Sequence, residues 1–133
     1  MALSGLGDAA YKEQDFKGAI AYFEELKSSS NWSNLSEEQQ EVILYKIANA
    51  YKLMEQVDEG LTFISENGAD RFVESLTLIE RDLHRMKGAE HLDQVFECTK
   101  ALYDKVEPRK AMYIVEYAQL LNAKQEFEQV EAL

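Results

Sequence analysis

The residue types best suited to acid–base or metal chemistry lie close together in the second half of the chain, at Glu80, His84 and His91. Glu80 and His84 are four residues apart, so a helix would place both on one face. Gly88 interrupts the helical pattern before His91, and no HExxH or CxxC motif supplies a further metal ligand at a usable spacing. We therefore interpret Glu80 and His84 as a surface ion pair and His91 as a turn residue. The sequence predicts no metal and no cofactor.

The single cysteine, Cys98, is the remaining candidate for covalent chemistry. It lies off the apolar stripe of its predicted helix, and no histidine stands at a fixed close spacing to activate it. We interpret it as a small, half-buried residue. Because no acid, base and nucleophile converge anywhere in the pattern, the sequence predicts a protein that is not an enzyme.

Composition favours one all-helical domain over residues 1–133. Hydrophobic residues make up 46% of the chain, which disfavours disorder, and six Gly and one Pro leave room for little besides helices and short turns. With 14 basic and 25 acidic side chains the net charge is −11, which repels nucleic-acid phosphates and anionic membranes. We expect no nucleic-acid or membrane partner. The lone cysteine, with no apolar run or leader, leads us to expect a cytoplasmic protein.

Three columns of residues recur along the chain at offsets of 41, 35 and 35 positions. The first column is Gly7, Ala48, Leu83 and Ala118; the second is Phe16, Val57, Leu92 and Phe127; the third is Ala19, Gly60, Val95 and Val130. Each unit reads as two helices, which the apolar spacing predicts near residues 3–13, 16–29, 37–54, 57–66, 70–87, 90–106, 108–123 and 126–133. The sequence therefore predicts four units, the last of them incomplete.

Capping residues support several of these boundaries. Ser36 with Gln39 three positions later predicts a capping box at the start of the third helix. Asp70 is expected to cap the fifth helix after a stop at Asn67-Gly68. Pro108 suits the first turn of the seventh helix, where its missing N–H costs nothing. Trp32, in the loop between the second and third helices, is expected to pack back over the helices, with a role as a binding contact as the alternative.

This pattern resembles the tetratricopeptide repeat family, a helix-turn-helix unit of about 34 residues that stacks into an α-solenoid. In the family, small residues let the two helices of a unit cross closely, as Gly7 and Ala19 would in the first unit. The third unit departs from the pattern, because Leu83 and Val95 stand at the small positions. The resemblance implies an all-α solenoid of about three and a half repeats and seven or eight helices.

The resemblance also implies a concave groove, lined by the first helix of each unit, that holds an extended or helical peptide. The residues it places in this groove are Asp8, Tyr11, Tyr45, Asn49, Lys52, Glu80, His84, Lys87, Val115, Gln119 and Asn122. Some family members bind the C-terminal carboxylate of a chaperone with basic and amide side chains. Ser4 and Asp8 stand where a cation and an amide would be needed, so we do not expect that ligand here.

Two functions remain open from the sequence. The first is a non-catalytic scaffold that binds a protein or peptide, and the alternative is a peptide-sensing or regulatory segment of a larger protein, such as a bacterial regulator. A sensor would change conformation on binding, whereas a scaffold would stay rigid. We also expect self-association through the C-terminal end, or contact there with the remainder of a longer protein, because the eighth helix stops after roughly two turns and leaves the seventh without a full packing partner.

Overall fold

The computed structural model describes residues 3–68, 72–108 and 110–132, with side chains up to residue 124. Within these ranges the protein is all-helical and contains no strand. Two short 3₁₀ turns occur, at Trp32–Asn34 and Ala89–His91. The seven α-helices are α1 (Leu3–Lys12), α2 (Phe16–Lys27), α3 (Glu37–Leu53), α4 (Val57–Gly68), α5 (Glu74–Lys87), α6 (Leu92–Lys105) and α7 (Ala111–Ala132). The predicted all-α class is confirmed.

Each helix packs against the helix that follows it in sequence, and α3 also packs against α5. The main core runs from α1 to α5 and includes the fully buried Phe23, Ile47 and Leu83. A smaller cluster around Leu102 and Tyr113 joins α6 to α7. None of the described helices has the length and apolar character needed to cross a bilayer.

The turns that join α1 to α2 and α3 to α4 have the same conformation. Gln14 and Glu55, 41 residues apart, both have left-handed backbones, with φ of 64° and 59°. The Asp15 N–H donates to the Ala10 carbonyl at 2.9 Å, and the same 2.9 Å bond recurs 41 positions later. These bonds form a Schellman motif, which closes the C-terminus of each helix. The first two units therefore repeat in backbone structure as well as in sequence.

Small residues allow the close helix crossings that the sequence predicts in these two units. A Cβ atom added at Gly7 would lie 2.5 Å from the ring of Phe23 in α2, and one added at Gly60 would lie 3.2 Å from the Cβ of Tyr51 in α3 and 2.9 Å from Leu83 in α5. Ala19 and Ala48 are fully buried. Because no side chain fits at Gly7 without moving the Phe23 ring, glycine is what lets α1 and α2 meet.

The predicted capping box at the start of α3 is confirmed. The Gln39 N–H donates to Ser36 Oγ at 3.1 Å, and Gln39 Oε1 accepts from the Ser36 N–H at 2.9 Å. Helix α4 ends at Gly68 as expected. Trp32 packs against the main core, which confirms the expectation that it packs back over the helices.

Two other predicted helix starts are wrong. Helix α5 begins at Glu74, four residues later than predicted, with Val73 in the N-cap position and no side-chain cap. The proposed cap Asp70 lies outside the described residues. Pro108 is not in the first turn of a helix, since α7 begins only at Ala111.

The fourth unit is not a helix pair. Residues 111–132 form one continuous helix, so the predicted break between 123 and 126 is wrong. The sequence Ala123-Lys124-Gln125-Glu126 explains the continuity, because all four are good helix formers and neither glycine nor proline interrupts them. Ala118, expected at a close crossing, is exposed. The side chains of Phe127 and Val130 lie outside the described residues.

Candidate functional site

The residues predicted to line one groove are distributed over α1, α3, α5 and α7. In the first two units, α1 and α3 are joined by two side-chain bonds. The amide of Asn49 donates to the hydroxyl of Tyr11 at 2.5 Å, and the Lys46 ammonium donates to the Asp8 carboxylate at 2.5 Å. Tyr45 packs against the main core. The polar groups expected to meet a peptide here are engaged with each other.

The predicted cationic residues are also engaged within the protein. Lys52 donates to the Asp82 carboxylate in α5 at 2.8 Å, so it ties α3 to α5. Lys87 points the other way and donates to Asp58 in the first turn of α4 at 2.8 Å. A ligand that recruited either lysine would have to replace an existing ion pair.

Val115, Gln119 and Asn122 are exposed on α7. No described bond links them to the other predicted residues. The third unit differs as well, because Glu80 and His84 face α6 whereas Asp82, two residues from each, faces α3.

Glu80 and His84 lie together in a cleft between α4, α5 and α6, which we call the α4–α6 cleft. Its volume is about 640 Å³. Apolar side chains form one part of its lining: Ile64, Phe72, Val73, Leu76, Cys98 and Ala101. Polar side chains form the remainder: Thr77, Glu80, His84, Asp93, Gln94, Glu97 and Lys105.

Helical spacing explains how α5 and α6 supply this lining. Thr77, Glu80 and His84 follow one another at intervals of three and four residues, which places them on one face of α5. Gln94, Cys98 and Ala101 do the same on α6. The core residue Leu83 lies on another face of α5, toward Gly60 in α4. The cleft face of α5 is therefore distinct from its core face.

Burial shifts the pKa of one carboxyl group and one thiol group in the cleft. Burial raises the pKa of Glu80. Burial, with the negative charge of Glu80 close by, raises the pKa of the Cys98 thiol to about 12. The Cys98 thiol and the Glu80 carboxyl group are close enough to influence each other's pKa. At neutral pH Cys98 is a thiol, which is a poor nucleophile and a poor metal ligand.

His84 lies at the rim of the cleft in contact with a second histidine. Its Nδ1 atom is 3.0 Å from Nδ1 of His91, which belongs to the 3₁₀ turn before α6. Burial, and to a smaller extent the proximity of His91, lowers the pKa of His84. At this distance one nitrogen donates and the other accepts, so the pair requires at least one neutral ring. The interpretation of His84 as the ion-pair partner of Glu80 is replaced by this contact.

The arrangement is suited to binding. Apolar side chains give a ligand surface to bury, while carboxylate, amide, imidazole and ammonium groups at the rim can orient it. Among the described residues no three His, Cys, Asp or Glu side chains converge on a point that could hold a metal ion. The sequence analysis missed Thr77, Gln94 and Lys105. The helical spacing of Thr77, Glu80 and His84 was the available signal. It predicts that the three side chains share one face of α5, but it does not predict that α6 lies opposite that face.

Comparisons with protein-family models, with curated proteins and with solved structures gave no match to this chain.

Proposed function

We propose that this protein is a non-catalytic module that binds a segment of another protein, and that the segment occupies the α4–α6 cleft. The observation that carries the proposal is the cleft itself, whose 640 Å³ lies in the range of small-ligand and side-chain pockets. It combines an apolar lining with a rim of hydrogen-bonding groups. By contrast, the polar groups on α1 and α3 already bond to each other.

The proposed architecture is a degenerate α-solenoid of tetratricopeptide type. The identical turns at Gln14 and Glu55, and the contact of α3 with both α4 and α5, support it. In such an array each unit contacts only its neighbours and leaves extended surfaces available for partners. The proposed ligand therefore contacts α4, α5 and α6 together, and it would bridge the second and third units.

The expected ligand is a short peptide segment with at least one apolar side chain. That side chain would lie against Phe72, Leu76 and Ala101, while the peptide backbone would bond to Gln94 or Thr77 at the rim. Amide and hydroxyl groups suit this role, because each can both donate and accept.

A displayed library of random peptides tests the proposal on the full chain. Peptides selected on the wild-type protein should lose binding to Ala101→Trp, because the indole would fill the cleft. Ala21→Trp is the matched control, since Ala21 is exposed on α2 outside the cleft. The double variant Asn49→Ala with Lys52→Ala reports on the originally predicted groove and should bind the peptides normally.

The outcomes separate the two surfaces. Peptides that survive Ala101→Trp but are lost with the double variant would move the site back to the groove of α1, α3 and α5. Failure to select any peptide above background would contradict the binding function. Circular dichroism of each variant checks that the helices are intact.

A further inference from the structure

The outer surface of α7 carries exposed side chains without any charge. We call it the α7 outer face. Met112 and Val115 are each 55% exposed and Ile114 is 46% exposed. The exposed side chains of the helix up to residue 124 are Ala111, Met112, Ile114, Val115, Ala118, Gln119, Leu121, Asn122 and Ala123. In a chain with 29% charged residues, each of the other six helices exposes at least one charged side chain.

The charged residues of this part of α7 point toward the rest of the molecule. Glu116 accepts hydrogen bonds from Arg81 at 2.9 Å and from Arg85 at 2.7 Å. Lys124 lies 3.6 Å from the Asp93 carboxylate and 4.4 Å from the ring centroid of Phe96. The fold thus holds one face of α7 with ion pairs and leaves the opposite face apolar.

We propose that the α7 outer face binds a second copy of this chain. Two copies that each carry a net charge of −11 repel one another wherever their acidic surfaces approach. The described side chains of the outer face include no carboxylate, so two copies that meet there do not bring acidic groups into direct contact. These side chains also offer no charge with which to select a basic or an acidic partner.

The spacing of the face sets the geometry of the pair. Ala111, Val115, Ala118 and Asn122 follow the alternating four-and-three spacing of a coiled-coil seam. With two antiparallel copies of α7 about a twofold axis, Val115 lies opposite Ala118 of the second copy, and Ala111 lies opposite Asn122 of the second copy. A larger side chain faces alanine at each position, which lets the two helices approach closely.

The flanking residues complete the contact in the same register. Met112 then lies beside Leu121 of the second copy, and Ile114 lies beside Gln119 of the second copy. All eight positions are exposed in the single chain. The seam from 111 to 122 is about 17 Å long at the helical rise per residue, so the expected dimer is weak and depends on concentration.

Sedimentation of the full chain over roughly a hundredfold range of concentration measures the dimer. We expect a reversible monomer–dimer equilibrium in the wild-type protein. Val115→Glu should weaken it about tenfold or more, because a carboxylate would be buried against alanine. Val42→Glu is the matched control, since Val42 is 50% exposed on α3, and it should leave the equilibrium unchanged.

A mixture of two single variants tests the register. Val115→Glu and Ala118→Lys should each dimerise poorly alone, whereas the mixture should recover dimers through a Glu–Lys pair across the seam. A wild-type chain that stays monomeric at every concentration would overturn the proposal and assign the face to a different protein segment. Loss of dimer in both variants without recovery in the mixture would overturn the antiparallel arrangement.

Discussion

The first two helix pairs and the third are built on the same sequence spacing but close in different ways. Helices α1 and α2, like α3 and α4, are joined by a Schellman turn whose left-handed residue is Gln14 or Glu55. Helices α5 and α6 are joined through Gly88, with φ of 104°, and a 3₁₀ turn. The open α4–α6 cleft lies beside this different turn.

The difference shows that a helix pair with a different turn leaves an open cleft where the first pair closes. In the first pair, glycine against Phe23 leaves no space between the helices. In the third pair, the longer turn brings His91 against His84 at the rim, and the apolar lining beside it remains open to solvent. The predictions below test this contrast between closed and open pairs.

The largest expected effect is at the closed crossing of the first pair. Gly7→Ala should lower the free energy of unfolding by about 2 kcal/mol, because the new methyl group would overlap the buried Phe23 ring. Gly5→Ala is the control, since nothing lies within 4 Å of its added Cβ, and it should stabilise α1 by about 0.5–1 kcal/mol. Urea unfolding measures both. Equal gains in the two variants would show that the crossing is not tight.

The turns should respond to glycine in opposite directions. Gln14→Gly and Glu55→Gly should each raise the free energy of unfolding by about 1 kcal/mol, because glycine adopts the left-handed conformation without strain. Gly88→Ala should lower it by about 1 kcal/mol, because alanine is strained at a φ of 104°. The added Cβ meets no neighbouring atom, so backbone strain is the cause of the loss. Thermal unfolding of the three variants provides the measurement. A loss in either of the first two would contradict the shared turn conformation.

The buried thiol of the third pair should make the protein less stable in alkali. The Cys98 pKa is about 12 in the folded protein against an ordinary value of 9.0. Between these values the unfolded chain releases the proton that the folded chain retains, so the free energy of unfolding falls as pH rises. Urea unfolding at neutral pH and at about pH 10.5 should therefore show a smaller decline in Cys98→Ala than in the wild type. An equal fall in the free energy of unfolding in both proteins would show that the Cys98 thiol is exposed to water.

The smallest effect concerns the histidine contact at the cleft rim. NMR titration should give His84 a pKa below its ordinary 6.5. His91→Asn should raise that pKa toward 6.5, because it removes a neighbouring positive charge. Since the folded pKa is lowered, the contribution of His84 to stability is present above about pH 6.5 and is lost as the unfolded chain takes up a proton below it. A His84 pKa above 6.5 would contradict the contact.

The sequence was sufficient for the elements and for the first two units. Periodic apolar residues located the helices from α1 to α6, and Gly7 and Ser36 were assigned their packing and capping roles. It did not identify which side chains become neighbours in space. Asn49 was assigned to a groove because of its position in the unit, but no sequence rule shows that the hydroxyl of Tyr11 lies beside it. The continuity of α7 was missed because the repeat spacing was given more weight than the helix-forming residues at 123–126.

The order of helix contacts also bears on how the chain reaches its structure. Each helix packs mainly on its successor, and further contacts join α1 to α3, α3 to α5 and α5 to α7. Such contacts close short loops, and proteins with this property fold quickly, because little chain entropy is lost before the first contacts form. Helices α1 to α4 supply most of the buried residues of the main core. We expect folding to start there and to proceed toward α7 without joining distant parts of the chain.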